Sequence, residues 1–147
     1  MQRKVSTKCS TCNERTVALV TIPYDTLIFH DGKHYDIHVP DLMTPKCANC
    51  GQLYFDQESS EQVNRALRAK VGLMQPDEIR QTRETLNLEP QAIAEMLCIP
   101  ISIYASWEEG GFLPLRSQDR LLRLVLERPE VRQQLREMHA RELTLAG

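Results

Sequence analysis

The stretch EPQAIAEMLCIPISIYASWEEG, residues 89–110, decides the fold of the C-terminal half of the chain. Pro90 suits the first position of a helix, because the N–H that it lacks would be unpaired there in any case. The small residue Ala94 lets a second helix cross closely, and that helix spans about residues 101–108 before Gly110 ends it. The stretch therefore predicts two short helices joined by a tight turn, with the second helix presented outward.

Apolar residues at helical spacing continue on both sides of this stretch. Pro76 suits the start of a helix before it, Ser117 suits the N-cap of a helix after it, and Pro129 suits the start of a last helix. A helix over residues 56–72 is interpreted as a linker. The sequence therefore predicts an all-α domain of five helices over residues 73–147.

The first part of the chain alternates apolar and polar residues in the manner of β-strands. This β-rich segment covers residues 13–40, and Asp31-Gly32 within it is a strong signal for a tight hairpin turn. Pro40 is expected to end the returning strand, because proline cannot donate to a strand ladder. The predicted fold class is therefore α+β, with a β-hairpin module over residues 1–55 before the helices.

Two Cys-x-x-Cys pairs flank the predicted hairpin: CSTC at residues 9–12 and CANC at residues 47–50, with 34 residues between them and Gly51 after the second. Two thiolates at this spacing turn round one ion, and two such turns complete a tetrahedral site with no open position. The pairs therefore predict a structural zinc site, which would staple a module with few large apolar side chains. Iron, or four reduced and packed thiols, are the alternatives. The predicted ligands are Cys9, Cys12, Cys47 and Cys50.

The remaining cysteine and the histidines have ordinary structural interpretations. Cys98 lies on the predicted turn between the two short helices and is expected to be a small buried residue. His30, His34 and His38 recur every four residues in the predicted hairpin. They are interpreted as solvated side chains, and a second metal site is the alternative.

The composition is typical of a soluble globular protein. The chain is 41% hydrophobic and 26% charged, and no apolar run approaches the roughly 20 residues that span a bilayer. We therefore expect a cytoplasmic protein without a membrane partner. Residues 73–128 carry six arginines against nine acidic residues, so any contact with DNA must come from a few arginines. No serine, cysteine or histidine belongs to a triad-like motif, so the sequence does not predict an enzyme.

Residues 89–110 resemble the Xre-type (Cro/C1) helix-turn-helix family. With the paired cysteines, roughly residues 9–135 resemble the bacterial zinc-finger/helix-turn-helix family that includes MqsA-type antitoxins. The resemblance implies a homodimer that binds a palindromic operator in double-stranded DNA through the C-terminal domain, and in antitoxin members a toxin partner at the zinc module. The matching motifs are CANCG at 47–51, PDEIR at 76–80, WEEG at 107–110, LP at 113–114 and DRLLRL at 119–124.

The resemblance also implies which residues would contact DNA. Positions that read bases in this fold fall near Ile101, Ser102, Ile103 and Ser106, although residues 98–110 contain no basic side chain. Contacts to phosphates would come from Arg80, Arg83, Arg116 and Ser117, and in addition Arg120.

Dimerisation has a separate indication in the last helix. Val131, Leu135 and Met138 form an apolar stripe that is expected to lie beyond the needs of the five-helix core.

The leading prediction is a DNA-binding transcriptional regulator, namely the antitoxin of a type II toxin-antitoxin pair that represses its own operon. The alternative is a protein-interaction adaptor that has kept the helix-turn-helix fold but no longer reads DNA. In that case Ile101 and Ile103 would contact a protein.

Overall fold

The computed structural model describes residues 7–146, so residues 1–6 of the predicted N-terminal module and residue 147 of the predicted C-terminal domain lie outside it. The described chain forms an antiparallel two-stranded hairpin followed by six helices, which confirms the α+β class. Two compact units divide after Lys70. No described helix is both long and apolar enough to cross a membrane. The elements are β1 (Val17–His30), β2 (Lys33–Cys47), α1 (Gln57–Val71), α2 (Pro76–Thr85), α3 (Pro90–Leu97), α4 (Ile101–Glu109), α5 (Arg116–Glu127) and α6 (Pro129–Ala146).

The tip of the hairpin is a two-residue turn. His30 pairs with Lys33, and the two residues between them, Asp31 and Gly32, have positive φ angles of 49° and 78°. Positive φ at both central positions matches the right-handed twist of the flanking strands, and glycine adopts it without a steric penalty. The tight turn predicted from this Asp-Gly pair is confirmed.

The returning strand is longer than predicted, because β2 does not end at Pro40 but continues to Cys47. The pairing register shifts at Pro23, which faces two residues of β2, Pro40 and Asp41. Such a bulge leaves its extra residue outside the ladder, and a proline without an N–H is tolerated there. The prolonged strand brings the second cysteine pair back beside the start of β1.

Helix α1 belongs to the same unit as the hairpin. Asp56 caps it, since its Oδ1 accepts the Ser59 N–H at 2.9 Å, and this hydrogen bond lowers the pKa of the Asp56 carboxyl. Gln62 Oε1 accepts the Met43 N–H of β2 at 3.0 Å, and Leu67 is buried. The helix that the sequence presents as a linker is therefore in contact with the hairpin.

The second unit is built round an apolar core. Its helices α3 and α4 are joined by a turn of three residues, 98–100, and the Ile99 N–H donates to the Ala94 C=O at 3.1 Å. The rings of Tyr104 and Trp107 meet edge to face with centroids 6.1 Å apart. The two short helices and the tight turn predicted for residues 89–110 are present. The core includes Ile79, Ile93, Tyr104, Trp107, Leu122 and Val125.

Two local predictions in this unit are wrong. Cys98 is exposed, because it ends α3 in the left-handed conformation with φ 54° and turns the chain away from the helix. Helix α5 begins at Arg116, one residue before the expected cap Ser117. The Leu115 N–H, just before the helix, donates instead to Gln118 Oε1 at 2.8 Å. A side-chain amide of the first turn therefore pairs one of the N–H groups that have no partner inside the helix.

The apolar stripe of α6 is also different from the prediction. Val131 and Leu135 pack against the core of their own unit, whereas Met138 is 50% exposed. The expectation that all three residues lie beyond the needs of the core is therefore wrong. The exposed apolar side chains of α6 are found nearer its end, at Leu143 and Leu145.

Candidate functional site

Two equivalent turns hold the four cysteines at the base of the hairpin. In each turn the N–H of the first cysteine, Cys9 or Cys47, donates to the carbonyl five residues later at 2.8 or 2.9 Å. Its own carbonyl accepts the N–H of the residue four positions later at 2.9 Å. That fourth residue is left-handed in both turns: Asn13 has φ 64° and Gly51 has φ 80°. Asparagine and glycine tolerate this conformation best, which explains their positions after the two pairs.

The four sulfur atoms form one cluster, with all Sγ atoms within 4.8 Å of one another. Cys9 and Cys50 have their sulfurs 3.6 Å apart, and so do Cys12 and Cys47. A disulfide would need about 2.05 Å, whereas four sulfurs at about 2.3 Å from a tetrahedral zinc lie about 3.8 Å apart. The thiols are therefore unbridged, and their spacing matches that of metal ligands. The four cysteines form a cluster that can hold one metal ion.

The two fully buried sulfurs each lie beside a hydroxyl group. Tyr54 Oη is 3.2 Å from Cys9 Sγ, and Thr16 Oγ1 is 3.1 Å from Cys47 Sγ. The Tyr54 hydroxyl, followed by N–H groups of the turn, lowers the pKa of the Cys9 thiol to about 5. The Cys50 N–H, followed by the Thr16 hydroxyl, lowers the pKa of the Cys47 thiol. Both sulfurs are held in surroundings that favour the thiolate, which is the form that binds metals.

The pKa of the Cys50 thiol is shifted in the opposite direction. The Gln52 N–H lowers the pKa of the Cys50 thiol, but burial and the neighbouring sulfurs outweigh it and raise this pKa to about 12. Without a metal the cluster therefore keeps a proton on Cys50 at neutral pH. A divalent cation would replace that proton, because its charge offsets the repulsion among the thiolates.

The hairpin histidines are not part of this cluster. His38 Nδ1 lies 2.5 Å from Asp25 Oδ1, and the His34 ring lies 5.0 Å from the Phe29 ring. Both histidines are exposed. Within residues 7–146 the four cysteines are the one group of side chains that could hold a metal ion, so the alternative of a second site in the hairpin finds no support.

The predicted base-reading positions lie on the first two turns of α4. Ile101 and Ser102 are exposed, whereas Ile103 and Ser106 are half-buried. The Ser106 hydroxyl donates to the Ile103 C=O of its own helix at 2.7 Å. Of the two serines among these positions, Ser102 is therefore the more accessible.

Arg83, one of the predicted phosphate contacts, is held inside the C-terminal unit. Its Nε and Nη2 donate to the two carboxylate oxygens of Glu108 at 2.6 and 3.1 Å, and its Nη1 donates to the Leu88 C=O at 3.0 Å. The Tyr104 hydroxyl donates to the same carboxylate at 2.6 Å. The Arg83 side chain is only 12% exposed, and its hydrogen bond to Glu108 raises the pKa of the guanidinium. Arg83 therefore joins α2 to α4, and three of its five N–H donors are already paired.

The protein family described as the antitoxin component of a bacterial toxin-antitoxin system, MqsA, matches residues 7–136. The match includes both cysteine turns, α3 and α4, and covers well over half of the chain. The chain belongs to the MqsA antitoxin family. No curated protein shows significant similarity to it. The matched region ends within α6, before its exposed end at Leu143 and Leu145.

The other predicted phosphate contacts of this MqsA-family chain lie on α2 and α5. Arg80 and Ser117 are exposed, and Arg116 is half-buried. Arg116, Arg120 and Arg123 line a cleft of about 240 Å³ at the start of α5. The carboxylate in this cleft belongs to Asp119, which accepts the Arg123 Nε–H at 2.8 Å and the Met74 N–H at 2.9 Å. Asp119 is thereby committed to Arg123, and Arg120 remains exposed beside it.

The two hydroxyl groups beside the sulfurs of this antitoxin-family site are not predicted by the cysteine motifs. Thr16 precedes β1 and Tyr54 follows the second cysteine pair. The sequence contains one weak signal, because each of these hydroxyl residues lies seven positions after the first cysteine of one pair. The strand pairing at the base of the hairpin is what brings each hydroxyl to its sulfur.

Proposed function

We propose that the chain is the antitoxin of a toxin-antitoxin pair, which binds a toxin protein through its N-terminal unit and represses its own operon through its C-terminal unit. The family match over residues 7–136 carries this proposal, because it spans both units. Leu27 and Phe29 of the hairpin are 59% and 63% exposed, and neighbouring exposed apolar side chains favour protein contact. The role is one of binding, and no catalytic step is proposed.

The C-terminal unit is proposed to bind double-stranded DNA as a helix-turn-helix. The order α3, three-residue turn, α4 suits this motif, whose second helix enters the major groove with its N-terminal residues against the bases. Ile101 and Ser102 are exposed at that end of α4. Phosphate contacts would come from the exposed Arg80 and Arg120 and the exposed hydroxyl of Ser117, with the half-buried Arg116 beside them, rather than from the largely covered Arg83.

A mobility shift of the full chain on the DNA upstream of its own gene, at low and moderate salt, tests the repressor. Replacing Arg116 or Arg120 with Ala is expected to weaken binding to all sequences and to reduce the salt slope by about 0.9 per phosphate lost. Lys33→Ala, an exposed change in β2, removes a positive charge from the other unit and is the control that should bind normally. Ser102→Ala is expected to alter sequence preference instead. A folded protein that gives no specific shift at either salt would overturn the repressor.

A homodimer is part of the same proposal, because a palindromic operator needs two copies of α4 related by a two-fold axis. The exposed apolar side chains of α6, at Met138, Leu143 and Leu145, are the proposed contact. Light scattering of the full chain at tens of micromolar is expected to give twice the monomer mass. A monomer under those conditions would exclude this mode of DNA binding.

Zinc is the proposed occupant of the cysteine cluster. Four thiolates in a closed tetrahedral arrangement are the ligand set of structural zinc sites. The proposal places the protein in the cytoplasm, where thiols stay reduced and free to bind metal. Elemental analysis should find about one zinc per chain, and Cys47→Ser should lose it. If one iron per chain were found instead, the identity of the metal would be wrong but the four-cysteine site would stand.

A second candidate function is that of a protein-interaction adaptor, and the charge of the second unit favours it. Residues 84–115 contain no lysine, arginine or histidine and five glutamates. Ile101, Phe112 and Leu115 are exposed within this segment, with Phe112 at 69%. An acidic and apolar surface suits a protein better than a phosphate backbone. Under this function the DNA experiment is negative, and replacing Ile101 with Asp abolishes capture of a co-expressed protein partner.

A further inference from the structure

Two hydroxyl groups outside the Cys-x-x-Cys motifs reach the metal cluster. Tyr54 Oη approaches Cys9 Sγ at 3.2 Å, and Thr16 Oγ1 approaches Cys47 Sγ at 3.1 Å. These two sulfurs belong to the cysteines that are fully buried. Cys50 is exposed and Cys12 is half-buried. The described side chains therefore divide the four ligands into an inner pair with hydroxyl partners and an outer pair nearer to solvent.

The direction of the Tyr54 hydrogen bonds follows from its neighbours. Its Oη accepts the Ser10 N–H at 3.0 Å and lies 2.9 Å from the Ser10 hydroxyl. A thiolate bound to a metal has no proton to give, so the bond to Cys9 must be donated by the Tyr54 O–H. Ser10 can then donate its own hydroxyl proton to Tyr54 Oη, and successive hydrogen bonds in one chain strengthen one another.

The tyrosine is fixed from the side of β2. The Tyr54 N–H donates to the Pro45 C=O at 2.9 Å, and the buried Thr44 hydroxyl donates to the Tyr54 C=O. The N–H and the C=O of Tyr54 are therefore both hydrogen-bonded to residues of β2. Thr16 is fixed in a similar way, since its C=O accepts the Ala48 N–H at 2.9 Å. The backbone that carries each hydroxyl is therefore hydrogen-bonded to residues at the base of the hairpin.

We propose that Tyr54 and Thr16 are positioning residues of the metal centre, which stabilise Cys9 and Cys47 as thiolate ligands and slow the release of the metal. Four thiolates and one divalent cation carry a net charge of −2. Each hydroxyl that donates a hydrogen bond to a sulfur stabilises part of this negative charge. The outer sulfurs, Cys12 and Cys50, lack a described hydroxyl donor, so a chelator or an alkylating reagent attacks there first. The inference rests on the proposed metal site.

The test compares zinc-loaded full-length chains in the presence of a chromophoric chelator. Tyr54→Phe and Thr16→Val each remove one hydroxyl and keep the size of the side chain, and release should become about tenfold faster or more. Thr16→Ser keeps the hydroxyl and is expected to release zinc at the normal rate. Tyr35→Phe, a half-buried tyrosine of β2, is the matched control. Ser10→Ala, an exposed change that weakens the Tyr54 bond indirectly, should give an intermediate rate even if Tyr54→Phe fails to fold.

A spectroscopic measurement separates positioning from a general loss of structure. In the cobalt-loaded chain, removing a hydroxyl donor is expected to move the thiolate-to-metal charge-transfer band to lower energy, because the sulfur holds its electrons less tightly. Iodoacetamide labelling of the zinc-loaded wild type, in which all four ligands are thiolates, should modify the exposed Cys50 before the buried Cys9. Tyr54→Phe should bring the labelling rates of these two cysteines closer together. Unchanged release rates and an unchanged band in both variants would overturn the inference. A wild-type chain that binds no metal would instead overturn the metal site itself.

Discussion

The ion pair between Arg83 and Glu108 joins α2 to α4 inside the C-terminal unit. As an arginine in a predicted DNA-binding domain, Arg83 is a reasonable phosphate contact. In the structure its guanidinium is bidentate with Glu108, and the Tyr104 hydroxyl completes the group. Both charged side chains are nearly covered, at 12% and 11% exposure. A charge buried in this way stabilises the fold only while its partner is present.

Replacing Arg83 with Ala is therefore expected to destabilise the C-terminal unit by about 3 kcal/mol, because it leaves the Glu108 carboxylate buried without its cation. Arg80→Ala, on the exposed side of the same helix, should change the free energy of unfolding by less than about 0.5 kcal/mol. Urea unfolding of the two variants measures the difference. Equal stability of both would show that the ion pair does not hold α2 to α4.

At the scale of elements, the turn between α3 and α4 depends on one residue in a left-handed conformation. Cys98 has φ 54° and its N–H donates to the Glu95 C=O at 3.2 Å, while the next N–H, of Ile99, reaches Ala94. Glycine is the usual residue at such a helix end, because a Cβ costs about 1 kcal/mol in this region. The sequence places a cysteine there, which is exposed and gains little from burial.

Cys98→Gly is accordingly expected to raise the free energy of unfolding of the C-terminal unit by up to about 1 kcal/mol, since it removes the strain at the helix end. Cys98→Val, with a branched Cβ, should lower it, and Cys98→Ala should lie between the two. Thermal unfolding of the three variants gives the order. A glycine variant less stable than the alanine variant would mean that the left-handed conformation is not strained.

For the molecule as a whole, the two units have separate sources of stability. The N-terminal unit has its cysteine turns at the base of a two-stranded hairpin, and a hairpin of that size is marginal in water without further support. The C-terminal unit has an apolar core of its own, formed by buried side chains within residues 74–126. Val131 and Leu135 of α6 pack against this core. Loss of the metal should therefore act on one unit and spare the other.

Removal of the metal by a strong chelator is expected to unfold the N-terminal unit while the helices after Gln75 stay folded. Backbone amide spectra before and after chelation measure this directly, because signals of residues 17–47 should collapse and those of residues 76–127 should persist. Added zinc should restore them. Cooperative unfolding of the whole chain on chelation would contradict independent units, and an unchanged hairpin would show that the metal is not a structural staple.

The sequence by itself determined the features that depend on near neighbours. The two cysteine turns, the Asp31-Gly32 turn and the short helices round Ala94 were predictable, because spacing and backbone preference fix them within a few residues. The tertiary structure alone decided that β2 passes Pro40 and that Cys98 is exposed. It also decided that Arg83 pairs with Glu108 and that the hydroxyls of Thr16 and Tyr54 lie beside sulfurs. The partners of these three side chains lie 25, 31 and 45 residues away in the chain, respectively. Contacts over such distances depend on how helices and strands pack, and no local pattern records them.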